Sequence, residues 1–193
     1  RGLMLKDLVA KNRSYRRFDE SVSIPKETLI ELVELARFCP SGANLQPLRF
    51  ALVSEKQLTD RVFPLLKFAA YLQDWAGPAE GERPTAYIVV MVDERIKRQA
   101  DLDAGIAAQT MMLGAVEKGY GGCMMSSVQR EKLAELLGLP EYYQIVLVMA
   151  LGKPIEQVVV EDVDETGNIK YYRDKEGIHH VPKRSLKELI WES

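Results

Sequence analysis

Between Asp101 and Lys118 the chain carries Ala104, Gly105, Ile106, Ala107, Ala108, Met111, Met112, Leu113, Ala115 and Val116, small and apolar residues around nearly the whole circumference of a helix. A helix with no polar face cannot lie on a surface, so this one must be buried, either at the centre of the fold or between subunits. Short apolar runs fit strands packed near it: Phe50–Val53, Ala86–Val92 and Ile145–Leu151. Two further amphipathic stretches read as helices. One follows Ile24-Pro25-Lys26-Glu27, with Pro25 in its first turn and a stripe through Leu29, Ile30, Leu32, Val33, Leu35 and Ala36 up to Pro40; the other is Arg130–Leu137, closed by Gly138 and Pro140.

Around this frame, Leu3–Asn12 is a short helix with Leu5, Leu8 and Val9 on one face, and residues 56–70 form a mixed helix. Gly77–Pro84 is a surface loop. Gly119–Gly122 breaks the long helix, Cys123–Val128 leads into the helix at 130, residues 156–180 make a charged, turn-rich excursion over the surface, and Pro182–Trp191 adds a strand or short helix. Tyr71 and Trp75, one helical turn apart, suit a core or interface stripe or the cover of a planar ligand, and the paired methionines suit core filling.

The 193 residues fit one domain over 1–193, and 47% hydrophobic and 28% charged residues with a net charge of -2 describe an ordinary globular chain without the basic bias of a nucleic-acid binder. Cys39 and Cys123 stand in apolar surroundings with neither CxxC nor Cys/His spacing, which argues against a disulfide framework and a zinc site. His179 and His180 are adjacent, and neighbours on a strand point to opposite faces, so they do not share a metal. Arg1–Leu8 has no signal-peptide core, and no stretch reaches the roughly 18 apolar residues of a membrane span. The expectation is a cytoplasmic protein whose start, Arg1 in place of Met, has been trimmed or replaced.

Three segments carry groups suited to an anion or a flat polar heterocycle. Arg13-Ser14-Tyr15-Arg16-Arg17 offers guanidinium forks and a hydroxyl for phosphate oxygens. Pro40-Ser41-Gly42-Ala43-Asn44-Leu45-Gln46-Pro47 combines small residues with two amides that match a pyrimidine-like edge. Gly121-Gly122-Cys123-Met124-Met125-Ser126-Ser127 offers backbone amides beside soft apolar surface. Read singly, each has a plain alternative: a solvated basic run, a helix-ending loop, and a helix-to-helix connection with Ser126 or Ser127 as N-cap.

Taken in order, the segments resemble the nitroreductase family of FMN enzymes over nearly the whole chain. Asn12-Arg-Ser-Tyr-Arg-Arg-Phe18 is similar to the family's Arg-Arg-Ser-x-Arg-x-Phe opening, and Pro40 to Pro47 to its Pro-Ser-x-x-Asn-x-Gln-Pro-Trp loop. Asp103-x-Gly-Ile-Ala-Ala-Gln109, Gly119-Tyr-Gly-Gly-Cys123, Leu136-Leu-Gly-Leu-Pro140 and Leu151-Gly-Lys-Pro154 follow in family order. The resemblance implies an α+β fold, a mixed, mostly antiparallel central sheet surrounded by helices, in a homodimer with FMN at the subunit interface. It further implies that Arg13, Ser14 and Arg16, with Tyr15 and Arg17 beside them and Lys183 and Arg184 from the tail, hold the phosphate and ribityl chain. Pro40, Ser41, Gly42 and Asn44 would line the flavin ring, with Gln46 approaching from the partner subunit and Met125, Ser126 and Ser127 near flavin N5. NADH or NADPH would reduce the flavin, which passes electrons to a nitroaromatic or quinone by a ping-pong route, with no essential acid–base side chain. The alternatives are a reductive dehalogenase or flavin-fragmenting branch of the same fold, and a non-redox FMN-binding or storage protein. Asn12 stands where the family has an arginine, which shifts phosphate binding towards Arg16, Arg17 and Lys183. Leu48 replaces the usual Trp, Ser126-Ser127 a glycine pair, and Lys183-Arg-Ser-Leu186 only approximates the family's Arg-x-Pro-Leu.

Overall fold

The structure, a computed structural model, describes residues 4–192; Leu3, the expected start of the first helix, lies outside them. In chain order the elements are α1 (Leu5–Lys11), α2 (Lys26–Arg37), β1 (Leu48–Val53), α3 (Lys56–Val62), β2 (Ala86–Asp93), α4 (Asp101–Glu117) and β3 (Gly121–Met125). They continue with α5 (Arg130–Leu137), β4 (Tyr143–Gly152), β5 (Val158–Asp162), β6 (Tyr172–Arg173), β7 (His179–Lys183) and α6 (Leu186–Leu189). A four-stranded sheet of order β1-β2-β4-β3 is antiparallel throughout. A second sheet, β5-β7-β6, supplies the parallel pair, β5 with β7. The fold is thus α+β, as the sequence implies.

Every residue of β2 is buried, and its alternation divides the molecule into two cores. Ala86, Ile88 and Val90 face one core with Leu29 and Leu32 of α2 and Ala104, Ala108, Met111 and Met112 of α4. Tyr87, Val89 and Met91 face the other, filled by Val62, Phe68 and Leu133. Helices α2 and α4 pack tightly at Gly114, where a Cβ would lie 3.0 Å from Leu32 and collide with Leu35. The apolar character of α4 is spent on two sides: its inner face is fully packed, while Leu102 and Ile106 on the outside are 82% and 42% exposed.

Three local expectations change. The helix over 56–70 ends at Val62, because Pro64 has no N–H to continue it, and Phe63–Leu65 closes as a single 3-10 turn. The run Cys123–Val128 does lead to the helix at 130, but its first part, with Gly121 and Gly122, is strand β3, whose glycines let the backbone of β4 come close; a Cβ on Gly122 would run into the Ala150 carbonyl oxygen. Residues 156–183 are more than a surface excursion, since they build the second sheet, turned at Gly177 with φ +83°. Pro25 sits at the N-cap of α2, one residue ahead of its first turn.

Candidate functional site

The Arg13–Arg17 segment is a strap laid across the start of β3 and the exit of β4. Ser14 bridges Gly122, and the Tyr15 N–H donates to the Gly122 carbonyl at 2.9 Å. Further on, Phe18 bridges Pro154, and the Ile155 N–H donates to the Arg17 carbonyl at 3.1 Å. Glu156 holds the strap from behind: its buried carboxylate accepts from the Arg16 N–H and from the Arg17 N–H at 3.2 Å, and pairs with Arg173 at 3.1 Å.

The strap's side chains have different fates. Arg17 forms a two-pronged pair with Glu82 at 2.8 and 2.6 Å, which holds the Glu82 carboxyl below its ordinary pKa. Tyr15 packs on Gly121, where a Cβ would come within 2.7 Å of its ring, and donates its hydroxyl to the Lys11 carbonyl at 3.0 Å. Ser14 is exposed. Arg13 donates to the Val9 carbonyl at 2.9 Å, and its buried Nε has no partner among the described residues. The Arg16 guanidinium lies 4.9 Å from the centre of the Tyr171 ring and donates to His179 Nε2 at 3.2 Å. Among the described residues, neither Arg13 nor Arg16 pairs with a carboxylate, so two cationic forks stand close in sequence without an anion.

Under the strap, burial pushes the Cys123 thiol up to about 12, leaving it a protonated core residue. Strand β3 then leads to Met125, which is buried, and to Ser126 and Ser127, both exposed. Four residues of strand separate Gly122 from Ser126, about 13 Å. The strap therefore crosses the head of β3, and the serine pair follows directly after its last residue.

The Pro40–Pro47 loop sits at the other end of α4. The Ser41 hydroxyl donates to Asp103, which also pairs with Lys97 at 3.1 Å, and accepts from the Gln46 N–H at 3.0 Å. The Ser41 hydrogen bond and then Lys97 hold the nearly buried Asp103 carboxyl below its ordinary pKa. Ala43, Asn44 and Gln46 have φ of 51°, 54° and 52°, a left-handed conformation costly for residues with a Cβ, and the Ser41–Asp103 anchor opposes that strain. Gly42 and Asn44 are exposed; Pro40, Ser41 and Gln46 form one wall of a cleft of about 320 Å³ shared with Arg37, Arg49 and Asp103. Asn12 Nδ2 donates to Gln109 Oε1 at 3.3 Å, which ties the strap to α4 six residues, about 9 Å, along the axis from Asp103.

The tail cations stand apart from the strap within the chain. Lys183 closes β7 opposite Asp162, and Arg184 pairs with Glu188 at 3.4 Å; Lys183 is four residues, about 13 Å, beyond His179. Tyr71 and Trp75 are not on a helix: the Tyr71 N–H donates to the Tyr171 hydroxyl at 3.3 Å, and the Arg173 guanidinium lies 4.5 Å from the Trp75 ring centre. His179 and His180 do face opposite ways. His179 is 1% exposed and turned to Arg16, whereas His180 lies between Glu161 and Asp174, 3.0 Å from each. Glu156, Tyr171 and Arg173 are not singled out by the sequence, where His179 is considered only as a metal ligand. A trace was present: Tyr171–Arg173 and His179–Lys183 flank Asp174-Lys-Glu-Gly177, a turn signal between two strand-forming runs.

Known proteins share the sequence pattern and the fold of this chain. The model of the nitroreductase family matches residues 9–153. The NADH dehydrogenase of Thermus thermophilus is 28% identical over 180 residues, covering 79% of this chain and 87% of its own. The iodotyrosine deiodinase of Thermotoga neapolitana is 24% identical over 168 residues, covering 78% and 89%. Among solved structures, an FMN-dependent nitroreductase from Clostridium difficile R20291 superposes with a TM-score of 0.60 at 23% identity, covering 78% of this chain and 87% of that one. With three quarters of the chain inside the family model and the same fold in its solved relatives, the chain belongs to the nitroreductase family.

Proposed function

We propose that the protein is an FMN-dependent oxidoreductase that takes electrons from NADH or NADPH and delivers them to an electron-poor small molecule, a nitroaromatic or quinone. The observation that carries this is the strap: two guanidinium forks without a carboxylate, one with a buried unpartnered Nε, seated on a glycine pair at the head of β3. Such forks match phosphate oxygens in pairs. The names of the Thermus and Clostridium relatives, with NADH and FMN in them, agree with the reading.

Bound FMN would supply the hydride-accepting N5 and the two-electron store. Arg13 and Arg16 bind the phosphate, and the exposed Ser14 hydroxyl adds a donor. Backbone N–H groups at Ser126 and Ser127 stand at the opposite end of the strand, where donors to a nitrogen gaining negative charge favour its reduction. The Pro40–Gln46 loop, kept in its strained conformation by Asp103, serves the site of a second subunit in a homodimer, consistent with the exposed Leu102 and Ile106 of α4. Arg17 and Arg184, engaged by Glu82 and Glu188, contribute less to the phosphate than Arg13 and Arg16 do.

The test is turnover by FMN-reconstituted protein: oxidation of NADH or NADPH that depends on an added nitroarene or quinone. A protein that fails to hold flavin overturns the proposal, and one that holds FMN but is reduced by neither nicotinamide is a binding or storage protein. A second reading, reductive dehalogenation, rests on the similarity to the iodotyrosine deiodinase. Steady turnover of a halogenated phenol with weak nitroarene activity would favour it.

A further inference from the structure

Beyond the strap itself, the second sheet places one residue where it controls the strap's chemistry. We infer that His179 is a positioning residue that aims the Arg16 guanidinium at the flavin phosphate, and thereby sets the preference of this protein for FMN over unphosphorylated riboflavin. The inference rests on the FMN reading above and adds to it a residue from outside the segment matched by the family model.

A guanidinium carries five N–H donors and no acceptor, so the 3.2 Å contact between Arg16 and His179 Nε2 requires the imidazole to accept. His179 is therefore neutral, with its proton on Nδ1. Burial, followed by the charges of Arg16 and Arg173, pushes its pKa down to about 4, so the acceptor persists throughout the neutral range. Nδ1 meets no hydrogen-bond partner among the described residues. A buried donor left unpaired costs stability, so stability alone does not account for a histidine at this position.

Geometry makes the contact directional. Strand β7 pairs His179 with Val158 of β5 and Arg173 of β6, and its N–H donates to the Gln157 carbonyl at 2.9 Å. Its ring packs 5.3 Å from that of Tyr171, whose face lies beside the Arg16 guanidinium. Arg16 is thus gripped at its backbone by Glu156, on its face by Tyr171 and at one nitrogen by His179. Its remaining donors make no hydrogen bond among the described residues and stay free for phosphate oxygens. A fork held on a rigid strand keeps its aim, whereas a free arginine must be ordered on binding.

The test is equilibrium titration of FMN and of riboflavin, followed by flavin fluorescence, into flavin-free full-length wild type, His179→Phe and His179→Gln. Phenylalanine keeps a ring beside Tyr171 but removes the acceptor; glutamine returns an acceptor oxygen. Wild type binds FMN more tightly than riboflavin; H179F loses about tenfold in FMN affinity with riboflavin affinity unchanged within about twofold, and H179Q recovers most of the loss. Equal weakening of both ligands in H179F, or an H179Q that behaves like H179F, overturns the positioning role. A wild type with no preference for FMN overturns the phosphate reading itself, which separates the two failures. If H179F does not fold, His179→Leu is the acceptor-free variant for the same comparison.

Discussion

Arg13 and Arg16 differ from the third cation of the strap by what they lack. Arg17 is satisfied by Glu82, while these two have no carboxylate, and on the present account the anion they await is a phosphate. The Arg13→Ala/Arg16→Ala double variant should lose flavin affinity by about 1.5–3 kcal/mol for each charged hydrogen bond removed, read by FMN titration. Unchanged occupancy would refute the assignment. A second residue-scale prediction concerns the glycine beneath the strap. Gly122→Ala pushes a Cβ into the Ala150 carbonyl of β4, so it should destabilise the protein by at least about 2 kcal/mol and lower Tm by about 4–8 °C in thermal unfolding. Arg13, Ser14 and Arg16 are legible in sequence because their spacing is local. Their supports are not: Glu156 and His179 reach the strap across separations of 140 and 163 residues, and no local pattern encodes such a contact.

At the scale of elements, periodicity serves well where one physical signal dominates. The continuous apolar run of β2, the stripe of α2 and the left-handed Gly138 closing α5 all appear where the sequence puts them. Competing signals explain the errors. Pro64 overrides helix-compatible neighbours, and the strand Gly121–Met125, left unassigned by local pattern, is fixed by its pairing with β4. The second sheet is held in part by a side-chain clasp. His180 on β7 lies between Glu161 of β5 and Asp174 after β6, and stacks 4.7 Å from Tyr172 of β6. Asp174 and then Glu161 raise the His180 pKa, and His180 foremost lowers that of Asp174. The raised histidine gives stability that is full below its unfolded pKa and lost as pH rises through the folded value; the lowered Asp174 gives stability lost as pH falls through its own. Amide exchange in β5 and β7, corrected for intrinsic rates, should therefore show the most protection in mildly acidic solution and less at alkaline pH. His180→Gln should flatten the alkaline decline, and a wild-type profile without that decline would remove the clasp.

On the scale of the whole molecule, the apolar helix α4 faces both the core and the solvent. Its inner face joins α2 and the main sheet, and its outer residues Leu102 and Ile106 remain open to solvent in the single chain. Among the described residues no helix is long and apolar enough to cross a membrane. The proposed dimer covers that outer face, so light scattering should report a dimer. Leu102→Glu with Ile106→Glu should give a monomer that binds FMN weakly while keeping its far-UV circular dichroism; a variant that stays dimeric would place the interface elsewhere. The fold class was legible as a whole because family motifs recur in order along the chain, whereas the β5-β7-β6 sheet lies wholly beyond residue 153, outside the stretch that the family model matches. The central claim is that the strap holds a flavin which a nicotinamide can reduce. Its most direct test is the visible spectrum of FMN-reconstituted protein during anaerobic titration with NADH and, separately, NADPH. The account predicts a protein-bound flavin whose oxidised absorption bleaches with at least one of the two and returns when a quinone is added. A spectrum that shows only free FMN, or a bound flavin that neither nicotinamide bleaches, would contradict it.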